Sequence, residues 1–162
     1  MGLAYFLPVT PTRQSEDVHQ AFWSKTSVAE HPFTVRWIGM DEDSTNQIFT
    51  LVRAKDKTGT FTLPEVLSQE GFPTPQVGDG IILTNFEGTP TLGLQLAEIW
   101  ETTWGAITEQ DTSVDGTPVR PLDVWRPLHT AYWTPMLEPY GKQLEDDTRV
   151  LIERFELIYD AG

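Results

Sequence analysis

The chain changes its hydrophobic period abruptly between Ile48 and Leu63, and that change limits the folds open to it. Ile48, Leu51 and Val52 recur at helical spacing. A few residues later Thr58, Thr60 and Thr62 alternate with Gly59, Phe61 and Leu63, as in a half-buried strand. A helix therefore ends where a strand begins, and a lysine and several hydroxyls arrive at that junction. Arg53, Lys55 and Lys57 cluster at the helix end, where cations complement the helix dipole by a few tenths of a kcal/mol each.

The rest of the chain supplies strands. Ile81–Phe86 and 91–103 flank the turn Glu87-Gly88-Thr89-Pro90 and read as an antiparallel hairpin. The run 149–159 is the most strand-like, with Leu151, Phe155, Leu157 and Tyr159 on one face. Glu153 falls on that same face between apolar neighbours. A carboxylate there either meets a cation or lines a polar pocket, because burying it bare is costly. Residues 31–38 form a further extended segment carrying Trp37.

Helices fill the intervals. Thr10-Pro11 is a capping pattern that predicts a first helix over 12–27, with Phe22 and Trp23 on its core side. Ser44-Thr45-Asn46-Gln47 has the form of a capping box for a second helix over 45–55. Pro64 to Gly71 is a short helix with a proline start and a glycine stop. A long helix begins near Pro121, with Leu122, Trp125, Leu128, His129, Tyr132, Trp133 and Met136 on one wide face. Pro127 and Pro135 predict kinks in it, or a split into shorter helices.

At 162 residues and 39% hydrophobic content, the chain is one domain with enough apolar side chains for a core. Residues 1–11 are expected to be an N-terminal arm. No run of about 18 apolar residues reaches across a membrane. The apolar start carries no basic residue and meets Pro8 early, unlike a signal peptide, so the expected location is cytoplasmic. The absence of cysteine excludes disulfides, thiolate metal sites and a thiol nucleophile. His19 and His31 stand alone, without ligand partners at useful spacing, and read as surface or capping residues. No metal and no cofactor is expected. With 24 acidic and 11 basic residues and a net charge of −13, the surface does not grip polyanions by bulk attraction.

In order along the chain, several short motifs resemble the ASCH domain family of longer bacterial type, within the PUA-like superfamily. They are the Phe22-Trp23 helix, Trp37, Lys57-Thr58 with Thr60, Val77-Gly78-Asp79, Glu87-Gly88-Thr89-Pro90, Trp125-Arg126 with His129, and Glu153-Arg154-Phe155. The resemblance implies an α+β fold: a small, mostly antiparallel PUA-like β-barrel flanked by helices. It also implies a pocket for single-stranded RNA or for a modified nucleoside or nucleotide. In its short members it implies a Lys/Thr/Glu amidohydrolase acting on acylated cytidine, and in some longer members a ribonuclease. The chain departs from the family pattern at one point. Asp115 keeps the first acidic position of the Glu-Gly-Glu-Gly-Asp segment, but the glutamate of the short amidohydrolases falls on Thr117.

The candidate catalytic residues are thus Lys57, Thr60 and Asp115, and the candidate ligand-binding residues are Trp37, Trp125, Arg126, His129, Glu153 and Arg154. A lysine in a desolvated pocket sheds its charge more easily and can act as base toward a threonine hydroxyl. Alternatively, Lys57 stays cationic and pairs with Glu153 or Asp115. Tryptophan faces and cations together suit single-stranded RNA, while both tryptophans also suit a core. His129 can serve as general acid or base, or as a satisfied polar residue on an apolar helix face.

Overall fold

A computed structural model describes residues 3–5 and 13–162. Six strands form its sheet: β1 (Leu3–Tyr5), β2 (Phe33–Arg36), β3 (Gly59–Thr62), β4 (Gly80–Thr84), β5 (Pro90–Thr103) and β6 (Arg149–Asp160). Five helices accompany them: α1 (Arg13–Trp23), α2 (Glu42–Arg53), α3 (Pro64–Glu70), α4 (Glu109–Thr112) and α5 (Leu122–Leu137). The fold is α+β, with a small sheet flanked by helices, as the sequence predicts. Of the expected N-terminal arm, residues 3–5 form a strand parallel to β2, and the remainder lies outside the described residues, as does the Thr10-Pro11 cap.

The strand order is β1-β2-β4-β5-β6-β3. The pairs β4–β5, β5–β6 and β6–β3 are antiparallel, while β2 lies parallel to β1 and β4. Among the described residues no ladder joins β3 to β1 or β2, so the sheet is not closed into a complete barrel. It is nevertheless curled. Arg36 on β2 and Glu153 on β6 stand three strand spacings apart, roughly 4.8 Å each along a flat sheet, yet their side chains meet at 2.8 Å. Irregular register in β5, between Gly93 and Leu94 and between Leu96 and Glu98, supplies local twist that helps a long strand bend.

The apolar side chains form separate clusters. One joins Phe61, Leu63, Trp125, Trp133, Leu137 and Ile152, packing α3 and α5 onto β3 and β6. Another joins Phe49 and Val52 of α2 to Ile81, Leu83, Leu92, Leu94 and Phe155. Each such side chain, fully buried, contributes about 1.5–3 kcal/mol. Trp23 is completely buried and lies across Gly80, where an added Cβ would fall 2.0 Å from its ring. Only glycine lets the tryptophan of α1 settle onto the sheet there.

Some boundaries differ from expectation for local reasons. α1 ends at Trp23, and His19 on it is buried rather than superficial. α2 starts earlier than predicted because Asp41, not Ser44, is its cap: the Asp41 carboxylate accepts from the Ser44 N–H at 2.8 Å. Ser44 then takes the reciprocal place in the capping box. α5 runs unbroken despite its two prolines. Pro127 and Pro135 sit on its exposed side, together with Asp123 and Ala131, so the carbonyls that lose a donor are on the solvent side. The Thr130 and Thr134 hydroxyls donate to carbonyls on the same helix, at 2.7 and 2.6 Å.

Glu153→Gln leaves the Arg36 guanidinium buried without its counter-charge, and the expected loss is on the order of 3–5 kcal/mol in urea unfolding. The double variant Arg36→Met/Glu153→Leu should recover most of that loss. A double variant as unstable as the single one would show that the pair does not hold the curl.

Candidate functional site

The gap between β2 and β3 is occupied by a cavity of about 230 Å³. Its walls come from α2, through Gln47, Ile48 and Leu51, and from α5, through Leu128, His129 and Tyr132. Arg36 and residues 37–40 after β2 form one rim, and Pro118 and Val119 another. Lys57, Thr60, Thr62 and Asp115 supply its polar floor among mostly apolar neighbours. Few polar groups set in an apolar hollow are typical of a small-molecule site.

Lys57 reaches this floor because α2 ends in a reversal. Lys55 adopts φ 59°, the left-handed region, and the Asp56 and Lys57 amides return to the Leu51 carbonyl. The reversal is complete before Gly59, which already belongs to β3. Its bare Cα has a different use. An added Cβ would lie 2.7 Å from Val114, so glycine allows the 114–116 segment to pass directly over the strand. The Thr58 amide donates to the Val114 carbonyl at 2.8 Å, and Asp115 follows.

Asp115 accepts from the Lys57 ammonium at 2.9 Å, and both side chains are about 6% exposed. The Gly116 amide donates to the same oxygen at 2.8 Å. Burial pushes the Asp115 carboxyl upward, but Lys57, His129 and that amide together hold it below its usual range. A second clamp secures the loop from outside. Asp56 accepts from the Thr117 amide and hydroxyl at 2.8 and 2.6 Å, and Arg120 donates to the Asp56 and Asp115 carbonyls. Thr117 thus sits on the exposed side as an anchor, away from the cavity lining.

His129 faces the cavity with its ring held on three sides. It stacks on Trp125 at 3.9 Å and 20°, with the edges of Phe61 and Trp133 at 5.5 and 4.9 Å. Burial lowers its pKa to about 4, against the opposing pull of Asp115. The Thr60 hydroxyl makes no hydrogen bond among the described residues and lines the cavity.

The other expected binding residues are placed differently. Trp37 lines the rim, its indole N–H donating to Thr45 at 2.9 Å. Trp125 is fully buried beneath His129 and belongs to the core, because the wide apolar face of α5 turns it inward. Arg126 lies outside the cavity, over Trp104 at 5.0 Å and donating to the Ile107 carbonyl. Arg154 follows Glu153 on an alternating strand, so it points to the opposite face and pairs with Glu98 at 3.0 Å. Glu153 itself is completely buried behind the cavity lining, accepting both Arg36 nitrogens and the Thr62 hydroxyl. Arg36, Asp56 and Arg120 were not singled out from sequence. The inward-facing Glu153 announced a partner cation, but nothing local named Arg36.

The sequence pattern of the ASCH domain matches residues 35–159. Nothing among curated proteins matches the chain. The fold is similar to the crystal structure of an ASCH domain from Lactobacillus crispatus, with a TM-score of 0.77 at 22% identity, covering 91% of this chain and 96% of that one. It is also similar to a protein of the DUF984 family from Enterococcus faecalis, with a TM-score of 0.72 at 21% identity, covering 91% and 89%.

The depressed pKa of His129 makes a signed prediction. The unfolded chain protonates this group near the ordinary value of 6.5 and the folded chain near 4, so its contribution is intact above pH 6.5 and is lost as pH falls toward 4. The expected loss is on the order of 3 kcal/mol. His129→Gln should flatten the fall of urea stability across that window, leaving the smaller effect of His19, whose pKa burial also lowers. An unchanged slope in the variant would mean His129 is not held neutral.

Proposed function

The chain belongs to the ASCH domain family, and from that premise we propose that its cavity takes a single uncharged, modified nucleoside and cleaves an acyl amide on it. The carrying observation is the charge of the cavity. The cations that line it, Arg36 and Lys57, each face a carboxylate, and Arg126 and Arg154 lie elsewhere. Under a net charge of −13, such a site offers a phosphate little compensation for leaving water. A neutral base and sugar meet no such objection, and the apolar walls suit them.

In the chemistry that this arrangement supports, the Lys57–Asp115 pair holds one proton between them. A ligand that expels water from the cavity disfavours two separated charges, so the proton passes from Nζ to Asp115 and leaves a neutral amine. That amine removes the proton of the Thr60 hydroxyl as its oxygen attacks the acyl carbon. The C–N bond breaks, the leaving nitrogen receives the proton from Lys57, and water then hydrolyses the acyl-threonine ester. Asp115 takes the acidic role in place of the family's second glutamate, whose position falls on Thr117.

The PUA-like fold of the family is associated with RNA binding, which makes single-stranded RNA the competing ligand. The test is hydrolysis of N4-acetylcytidine, with binding of short single-stranded RNA measured at low and high salt. Turnover should fall about 100-fold or more in Thr60→Val and Lys57→Ala, and Thr60→Val should keep its unfolding midpoint. Lys57→Ala should also lose stability, since it strands Asp115. Tight, salt-sensitive RNA binding that survives Lys57→Ala would overturn this reading.

A further inference from the structure

The nitrogens of His129 have different tasks. Nδ1 lies 3.0 Å from the Trp125 carbonyl oxygen, which can only accept, so Nδ1 carries the proton. Nε2 then keeps its lone pair, and among the described residues it meets no donor. The stacked indole beneath the ring and the aromatic edges beside it prevent the ring from turning over to exchange these roles. The imidazole therefore presents a fixed acceptor to an otherwise mostly apolar wall.

We propose that His129 Nε2 accepts a hydrogen bond from an N–H of the ligand, and so selects a secondary amide over its N-methylated counterpart. This rests on the reading of the cavity as a site for an acylated nucleoside. A methyl group in place of that hydrogen would leave Nε2 enclosed without a donor, and rejection of this kind is strong where a site is built around a hydrogen bond. Asp115 Oδ2 is a second acceptor on this side that meets no donor among the described residues, since Lys57 and Gly116 both use Oδ1, and the Thr60 hydroxyl is removed in the variants below. The variants below separate the two.

The probes are N4-acetylcytidine and its N4-methylated form, with binding measured by calorimetry on Thr60→Val so that neither is consumed. The expected preference for the N–H form is on the order of 10- to 100-fold. It should vanish in Thr60→Val/His129→Phe, which keeps the aromatic stack but no acceptor. It should persist in Thr60→Val/His129→Gln, whose amide oxygen can stand near the Nε2 position. A preference that survives His129→Phe assigns the contact to Asp115 and overturns the proposal. Equal binding of the two probes by Thr60→Val overturns it alone, whereas binding of neither overturns the nucleoside reading and this inference with it. An independent arm needs no ligand: the two-bond proton–nitrogen spectrum of the wild-type protein should show the Nδ1–H tautomer. An Nε2–H tautomer would sink the proposal whatever binds.

Discussion

Arg36 and Glu153 meet across three strand spacings, and most of the molecule's shape follows from that contact. A flat sheet of this order would hold them too far apart for two side chains to bridge. Their bidentate pairing, at 3.0 and 2.8 Å, therefore marks how far the sheet has curled. Taking both charges out of water is expensive, and the geometry offsets it by satisfying the carboxylate with two guanidinium nitrogens and a threonine hydroxyl. The curl stops short of joining β3 to β2. What fills the remaining gap is the cavity, walled by α2 and α5.

The two buried ion pairs differ in access. Glu153 is sealed behind the lining, so its pair with Arg36 holds the frame. Lys57 and Asp115 line the cavity, so an entering molecule changes their surroundings. Both partners of the accessible pair also lie close in sequence to residues that fasten the same loop: Asp56 beside Lys57, and Thr117 two residues after Asp115. The amine and the acid thus reach each other from distant parts of the chain with little freedom left to lose.

The sequence made local facts legible and left the long-range ones open. The period switch located the end of α2 and the start of β3, and alternation along β6 set Glu153 inward. The same alternation should have set Arg154 outward, since neighbours on a strand face opposite sides; the family motif drew it into the predicted site instead. Arg36 stayed hidden because its partner is 117 residues away and on a strand that is not its neighbour. Arg126 and Trp125 show a further limit. The wide apolar face of α5 says which residues turn inward, but not whether they meet a core or a hollow. His129 and Trp125 share that face, and only the packing of Phe61 and Trp133 puts one at the cavity and the other beneath it.

The acidic exterior has a consequence for competition. Any molecule built to handle a monomer must work in the presence of polymers that display the same chemical groups in far greater number. Affinity for the polymer, even weak affinity, would tie up the protein by mass action and leave little of it free. A surface carrying a net charge of −13 around a charge-balanced hollow removes that sink at long range, before any contact is made. For the nucleoside ligand proposed above, selection between monomer and polymer rests on the whole surface, and the hollow has only to choose among monomers.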